Sequence, residues 1–258
     1  MAFLELAEGG QLYYEWIGAG KGAAGKPVLV FLHEGLGCTA MWKDFPARLC
    51  AQTGCEGLVY DRRGYGRSDP LRTERSVHYL HRYALEELPQ VLALLDGRPY
   101  VVVGHSDGGS IALIHAADRQ PGLLGVVTEA AHVFVEEVTL AGIREARIAY
   151  DAGKLRGLSR YHGDKTDQIF GAWADTWLRP GFSHWNIEYL LPSVACPVLA
   201  LQGSGDQYGS GAQLDAIEAQ APRARKAMLP DCGHTPHQEQ PEAVLGAVAE
   251  FLKELEEQ

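Results

Sequence analysis

The order of apolar runs and helical stretches predicts an α/β protein: a mostly parallel central sheet with helices on both faces, and a helical insertion late in the chain. Three observations carry that expectation. Short apolar runs recur at Val28 to Leu32, Leu58 to Tyr60, Val101 to Val103, Gly125 to Thr128, Pro197 to Leu201 and Ala227 to Leu229, most of them separated by stretches with helical spacing. These runs are continuous rather than alternating, as strands must be in a sheet covered on both faces. The rhythm breaks between 131 and 192, where Trp173, Trp177 and Trp185 supply three of the five tryptophans. The expected division is a core from residues 1–130 and 193–258 with a helical insertion at 131–192.

The elements follow in order. Phe3-Leu4-Glu5-Leu6 and Leu12-Tyr13-Tyr14-Glu15-Trp16 read as a hairpin around a Glu8-Gly9-Gly10 turn, followed by a Gly- and Ala-rich loop through Gly25. Leu80, Ala84, Leu88, Leu92 and Leu95 repeat at helical spacing, with Pro89 expected to kink or divide the helix. Pro99 to Val103 reads as a buried strand and Gly109 to Ala117 as a helix, so the chain must turn sharply at Gly104-His105-Ser106-Asp107-Gly108. Val244, Val248, Leu252 and Leu255 mark a terminal helix. Neither internal repeats nor low-complexity tracts are present.

Composition narrows the function. At 258 residues and 46% hydrophobic content, the chain can fill one large core with an insertion. Its 23 basic against 33 acidic residues give a net charge of −10, which argues against nucleic acid or an anionic membrane as the main partner. The segment Met1 to Glu8 carries acids where a signal peptide needs bases, and a cytosolic location is expected. Five cysteines (Cys38, Cys50, Cys55, Cys196 and Cys232) without a C-x-x-C pair suit a reducing compartment. His78/His81 and His234/His237 have metal-like spacing but lack the companion ligands of a zinc site, so no metal is expected. A homodimer is compatible with these features.

A serine at a strained strand-to-helix turn exposes its hydroxyl, and flanking glycines keep side chains out of the crossing. Acyl transfer by Ser106 then requires a base, a carboxylate to orient that base, and donors for an oxyanion. Asp206 ends the run Pro197 to Ser204-Gly205 and is the expected acid; without Ser106 upstream it would read as a turn aspartate. His234, in Pro230-Asp231-Cys232-Gly233-His234, is the expected base, with His237 a near competitor.

Together these segments resemble the α/β-hydrolase superfamily. Its nucleophile elbow is similar to Gly104 to Gly108, and its loop after the fourth strand to Asp61-Arg62-Arg63-Gly64-Tyr65-Gly66-Arg67-Ser68. Its terminal histidine segment resembles Gly233-His234 followed by Glu239-x-Pro241, which favours His234 over His237. The resemblance covers nearly the whole chain in the family's order of serine, acid and histidine. It implies an α/β-hydrolase fold, a cap over the serine, no cofactor, and an oxyanion hole from Asp107 and from the loop after the third strand.

That loop departs from the family's His-Gly-x-Gly, reading His33-Glu34-Gly35-Leu36-Gly37. Gly35 is the expected donor, with Glu34 the alternative. The Glu34 side chain either joins the site or turns away to pair with Arg62 or Arg63. In the insertion, Phe170, Trp173 and Trp177 share one helical face that forms either a substrate wall or ordinary packing. Arg144 and Arg147 are candidates for a substrate carboxylate or a solvated face, and His132 for the pocket mouth. The expected activity is hydrolysis of a small carboxylic ester or lactone. The alternatives are C–C bond hydrolysis, ranked lower because His105 stands where those enzymes tend to carry Asn, and a non-catalytic small-molecule receptor on the same fold.

Overall fold

Five consecutive residues with no room for water, Val28–Leu32 (β3), form one of the central strands, and the rest of the sheet is arranged about them. The computed structural model of the chain describes residues 2–18 and 25–257, so most of the Gly- and Ala-rich loop expected before Gly25 lies outside the described residues. Ala2–Glu5 (β1) and Gln11–Ile17 (β2) form the hairpin at one edge. Glu56–Tyr60 (β4), Tyr100–His105 (β5), Leu123–Glu129 (β6), Val198–Gly203 (β7) and Ala224–Leu229 (β8) complete an eight-stranded sheet ordered β1-β2-β4-β3-β5-β6-β7-β8. The β1–β2 and β2–β4 pairings are antiparallel and all others parallel.

The register places the chemistry. Leu32 pairs with Gly104, His105 with Glu129, Glu129 with Leu201, and Gly203 with Leu229. The carboxyl ends of five parallel strands therefore open onto one edge, where the loops carrying Glu34, Ser106, Asp206 and His234 emerge. In open α/β sheets this edge is where ligands bind.

Separate apolar clusters cover the two faces, as continuous buried strands require. On one, Trp42, Phe45, Leu49, Val244, Val248 and Phe251 pack against Leu29, Val101 and Val127. On the other, the helix Asp107–Ala117 is buried along almost its whole length. Each such side chain contributes roughly 1.5–3 kcal/mol by leaving water. The run 79–95 is helical but interrupted: Tyr83–Glu87 widens into a π turn, and Pro89 sits in the first turn of Leu88–Leu92, where its missing N–H costs least.

Between β6 and β7 the chain forms helices and short helical turns, chiefly Glu137–Asp151 and Thr166–Trp177, and these lie over the carboxyl edge of the sheet. Among the described residues no helix is long and apolar enough to cross a membrane. All five cysteines are free thiols.

Candidate active site

Ser106 joins β5 to the helix Asp107–Ala117 with φ 53° and ψ −117°, a conformation that costs a non-glycine residue free energy and must be held by its surroundings. Its N–H donates to the Glu129 carbonyl at 2.8 Å, tying the elbow to β6. A Cβ on Gly104 would stand 2.3 Å from the Gly108 carbonyl oxygen, and one on Gly108 would stand 2.0 Å from that of Leu32. Strand, turn and helix approach one another only because both residues are glycine.

The loops after β7 and β8 bring two more side chains to the serine. His234 Nε2 lies 3.0 Å from Ser106 Oγ, and His234 Nδ1 lies 2.8 Å from Asp206 Oδ1. Asp206 also accepts from the Tyr208 N–H at 2.8 Å and from Gln202 Nε2 at 3.2 Å. Burial pushes the Asp206 carboxyl upward, but the hydrogen bond and charge of His234 and the Tyr208 N–H outweigh it, holding the group below its ordinary 3.8. An ionised Asp206 keeps the proton on His234 Nδ1 and leaves Nε2 free to accept from the serine. His105 Nε2–H donates to the His234 carbonyl at 2.7 Å, and burial keeps the His105 ring well below the usual imidazole range.

His237, the competing histidine, has a different place. Its Nδ1 lies 3.0 Å from Glu129 Oε2, and its ring is held against Trp42 and Phe45 at 4.6 and 5.3 Å between centroids.

Asp107 opens the helix after the serine, where the first N–H groups have no intrahelical partner and the helix dipole is positive. Its carboxylate accepts from Tyr79 Oη at 2.7 Å, and Tyr79 Oη accepts from Trp177 Nε1 at 2.9 Å. The loop after β3 runs beside it. Gly35 lies so close to Trp173 that a Cβ would stand 2.6 Å from Nε1. Neither sequence alternative for a Glu34 ion pair with arginine is realised. Arg62 donates to the Glu34 carbonyl oxygen rather than its carboxylate, and Arg63 reaches Gly9 and Glu8. The Glu34 carboxylate instead faces the cavity with Oε2 3.9 Å from His105 Nδ1. Desolvation raises its pKa above the ordinary 4.5, opposed chiefly by its own backbone N–H.

Ser106 opens into a cavity of about 410 Å³ whose walls include Leu36, Met41, Ile143, Leu155 and Leu158. Glu34, Gly35, Asp107, His132, Trp173, Trp177 and His234 line it as well, and among the described residues no lysine or arginine does. The three aromatic residues on one helical face therefore divide. Trp173 and Trp177 border the cavity, whereas Phe170 stacks on Tyr150 with centroids 3.8 Å apart. Arg144 does not border the cavity, and of its two sequence readings the solvated face is the one present in the structure. Arg144 is exposed and pairs with Glu137 at 2.6 Å, because it follows the buried Ile143 by one residue and so points about 100° around the helix from it. Arg147 pairs with Asp175. His132 is at the wall, with Nε2 bonded to the Tyr208 carbonyl at 2.9 Å.

Sequence reasoning missed Tyr79, which secures Asp107, and Tyr208, whose ring packs 4.8 Å from that of His234. Tyr79 carried no signal beyond helical spacing. Tyr208 could have been suspected from its place two residues after Asp206.

A parallel sheet flanked by helices, with a serine at its central strand-to-helix turn and an acid and histidine on later strand ends, defines the α/β hydrolase class. The chain belongs to the alpha/beta hydrolase family, whose model matches residues 29–247. It is 26% identical over 273 residues to a 2-succinyl-6-hydroxy-2,4-cyclohexadiene-1-carboxylate synthase of Enterobacter sp. (strain 638), covering 91% of this chain and 96% of that protein. Among solved structures, the proline iminopeptidase of Mycobacterium smegmatis matches with a TM-score of 0.75 and 20% identity, covering 98% of each chain. The enol-lactonase of Burkholderia xenovorans LB400 matches with a TM-score of 0.75 and 18% identity, over 98% of this chain and all (100%) of that one. At such identities the structural likenesses define the fold alone.

Proposed function

We propose that this chain is a serine hydrolase that cleaves a small, uncharged carboxylic ester or lactone through an acyl-enzyme. The observation that carries the reading is the continuous hydrogen-bonded path from Ser106 Oγ through both nitrogens of His234 to Asp206. In the first step His234 Nε2 takes the serine proton as Oγ attacks the substrate carbonyl, and Asp206 stabilises the imidazolium without accepting the proton. The N–H groups of Gly35 and Asp107 hold the tetrahedral oxyanion, each worth on the order of 3 kcal/mol in comparable sites. His234 returns the proton to the leaving alkoxide, and water then repeats the sequence to release the acid. The helical segment over the sheet edge, residues 131–192 in the sequence reading, acts as the cap that sets substrate choice.

The cavity supports the substrate class. It suits a small ligand and is mostly apolar, and among the described residues its lining holds carboxylates but no lysine or arginine to receive an anionic substrate. The synthase relatives are named for a product bearing carboxylate groups, and a cationic lining is what such a molecule would call for. An uncharged ester or lactone fits the lining that is present.

The test is stoichiometric labelling of the purified chain by a fluorophosphonate together with turnover of p-nitrophenyl acetate. Labelling at Ser106 and loss of both signals in a folded Ser106→Ala variant are expected. A folded wild-type chain that neither labels nor turns over would sink the reading.

A further inference from the structure

A buried guanidinium is pinned to the back of the loop that follows β3. Arg62 has no exposed surface (0%), and its Nη2 donates to the Glu34 carbonyl at 2.8 Å while Nη1 donates to the His33 carbonyl at 2.5 Å. The Arg62 N–H donates to His33 Nε2 at 3.2 Å, so the His33 proton resides on Nδ1, which lies 2.8 Å from the same Glu34 oxygen. Burial drives His33 well below the usual imidazole range, as this neutral tautomer requires. The Gly37 N–H adds a further bond to that oxygen at 3.1 Å.

Arg62, His33 and Gly37 thus converge on one carbonyl, and the other end of that peptide unit is the Gly35 N–H. A peptide group polarises as a whole, so donors on its oxygen make its N–H a stronger donor. A charged donor contributes about twice what a neutral one does. The adjacent Glu34 N–H faces its own carboxylate, which leaves Gly35 as the donor available to the cavity.

Burying a cation is costly, and among the described residues no carboxylate lies within salt-bridge distance of Arg62. The rings of Tyr65 and Tyr83 lie 4.9 and 5.4 Å from its guanidinium carbon; burial lowers its pKa, but the electrostatic influence of Tyr65, Asp107 and Tyr83 outweighs the burial and raises it. We propose that Arg62, supported by His33, is a positioning residue that aims and polarises the Gly35 N–H toward the oxyanion. The inference rests on the hydrolase reading above and adds to it a component outside the cavity.

A purely structural clamp between two loops would alter folding or substrate binding, whereas an oxyanion-directed role alters the transition state. Arg62→Met and Arg62→Lys would be compared with the wild-type chain for kcat and KM on p-nitrophenyl acetate. Inhibition by a short trifluoromethyl ketone, whose adduct with Ser106 carries the same oxyanion, would be measured alongside. Removing a whole oxyanion donor costs about 10²–10³ in kcat, so weakening one should cost Arg62→Met roughly tenfold or more. KM should stay within about threefold, ketone affinity should fall in parallel with kcat, and Arg62→Lys, which keeps the charge, should lie between.

If Arg62→Met does not fold, Arg62→Lys and His33→Gln carry the same readouts with smaller parallel losses expected. A folded variant with kcat within twofold of wild type overturns the inference, as does a fall in kcat with ketone affinity unchanged. Wild-type labelling by the fluorophosphonate separates the cases. An unlabelled, inactive wild-type chain overturns the hydrolase reading and this inference with it, while normal labelling beside unaffected Arg62 variants overturns this inference alone.

Discussion

Two histidine–carboxylate pairs stand side by side at the carboxyl edge of the sheet, and their chemistry is nearly the same. His234 Nδ1 meets Asp206 at 2.8 Å, and His237 Nδ1 meets Glu129 at 3.0 Å. They differ at the far nitrogen. His234 Nε2 points to Ser106 at the cavity, whereas the His237 ring is enclosed by Trp42 and Phe45, with its Nε2 3.4 Å from the Gln238 amide nitrogen. A paired histidine is common structural material. What makes one a candidate base is an accessible second nitrogen with a nucleophile in reach.

The sharpest way to break this comparison is to delete each histidine. His234→Ala is expected to lower kcat on an activated ester by at least roughly 10³-fold, as losing the base of a Ser-His-Asp unit does. His237→Ala is expected to keep kcat within about tenfold yet unfold more readily, losing about 1–3 kcal/mol because the buried Glu129 carboxylate loses the imidazole and, among the described residues, keeps only the backbone N–H of residue 237 as a hydrogen-bond donor. Kinetics and thermal melts on both variants check this. An inactive but well-folded His237→Ala protein would place the second pair in the machinery.

The carboxylates should separate next, by a smaller margin. Asp206→Asn should cost roughly 10²- to 10⁴-fold in kcat by disfavouring the tautomer that leaves His234 Nε2 free. Glu129→Gln should act mainly on stability. The folded fold-state pKa of Asp206 is depressed, so its contribution to stability is present above the ordinary 3.8 and is lost as pH falls through the lower folded value. Acid melts should therefore show the gap between wild type and Asp206→Asn narrowing below pH 3.8. A gap that widened there would reverse the assignment.

How much of this was legible in the sequence follows from the range over which each feature is determined. The strands could be read because a doubly covered sheet demands unbroken apolar runs. The approach of Ser106, Asp206 and His234 could be anticipated because each sits on a loop leaving the same edge of that sheet. Choosing between His234 and His237 from residues alone was impossible, since both follow the same turn; only the family-like Gly233-His234 segment tipped the balance. Glu34 was expected to join the site or to seek an arginine with its carboxylate. It faces the cavity, and Arg62 takes its carbonyl instead, a contact between loops 28 residues apart that no local pattern encodes. The face of Phe170, Trp173 and Trp177 split because one end packs on Tyr150 and the other meets the cavity, a consequence of helix placement rather than spacing.

Glu34 is the third carboxylate in the comparison, and its Oε2 lies 3.9 Å from His105 Nδ1 and close against Gly37, where a Cβ would stand 1.8 Å from it. His105 lies between the two pairs, with its ring 5.3 Å from that of His234 and 5.1 Å from that of His237. Facing the cavity without a paired cation, an ionised Glu34 should repel a substrate carboxylate. At about 6 Å and an effective dielectric of about 20 the repulsion is some 3 kcal/mol before salt screening, enough for roughly a tenfold bias afterwards. Glu34→Gln should therefore leave kcat/KM for p-nitrophenyl butyrate within about threefold and raise it roughly tenfold for mono-p-nitrophenyl glutarate at pH 8. Because burial raises the Glu34 pKa above 4.5, lowering the pH protonates it and the wild-type chain should converge on the variant's preference. Equal treatment of both esters by wild type and variant at pH 8 would mean that Glu34 does not face the acyl group, and that the two histidine pairs share the edge with a carboxylate that plays no part in selection.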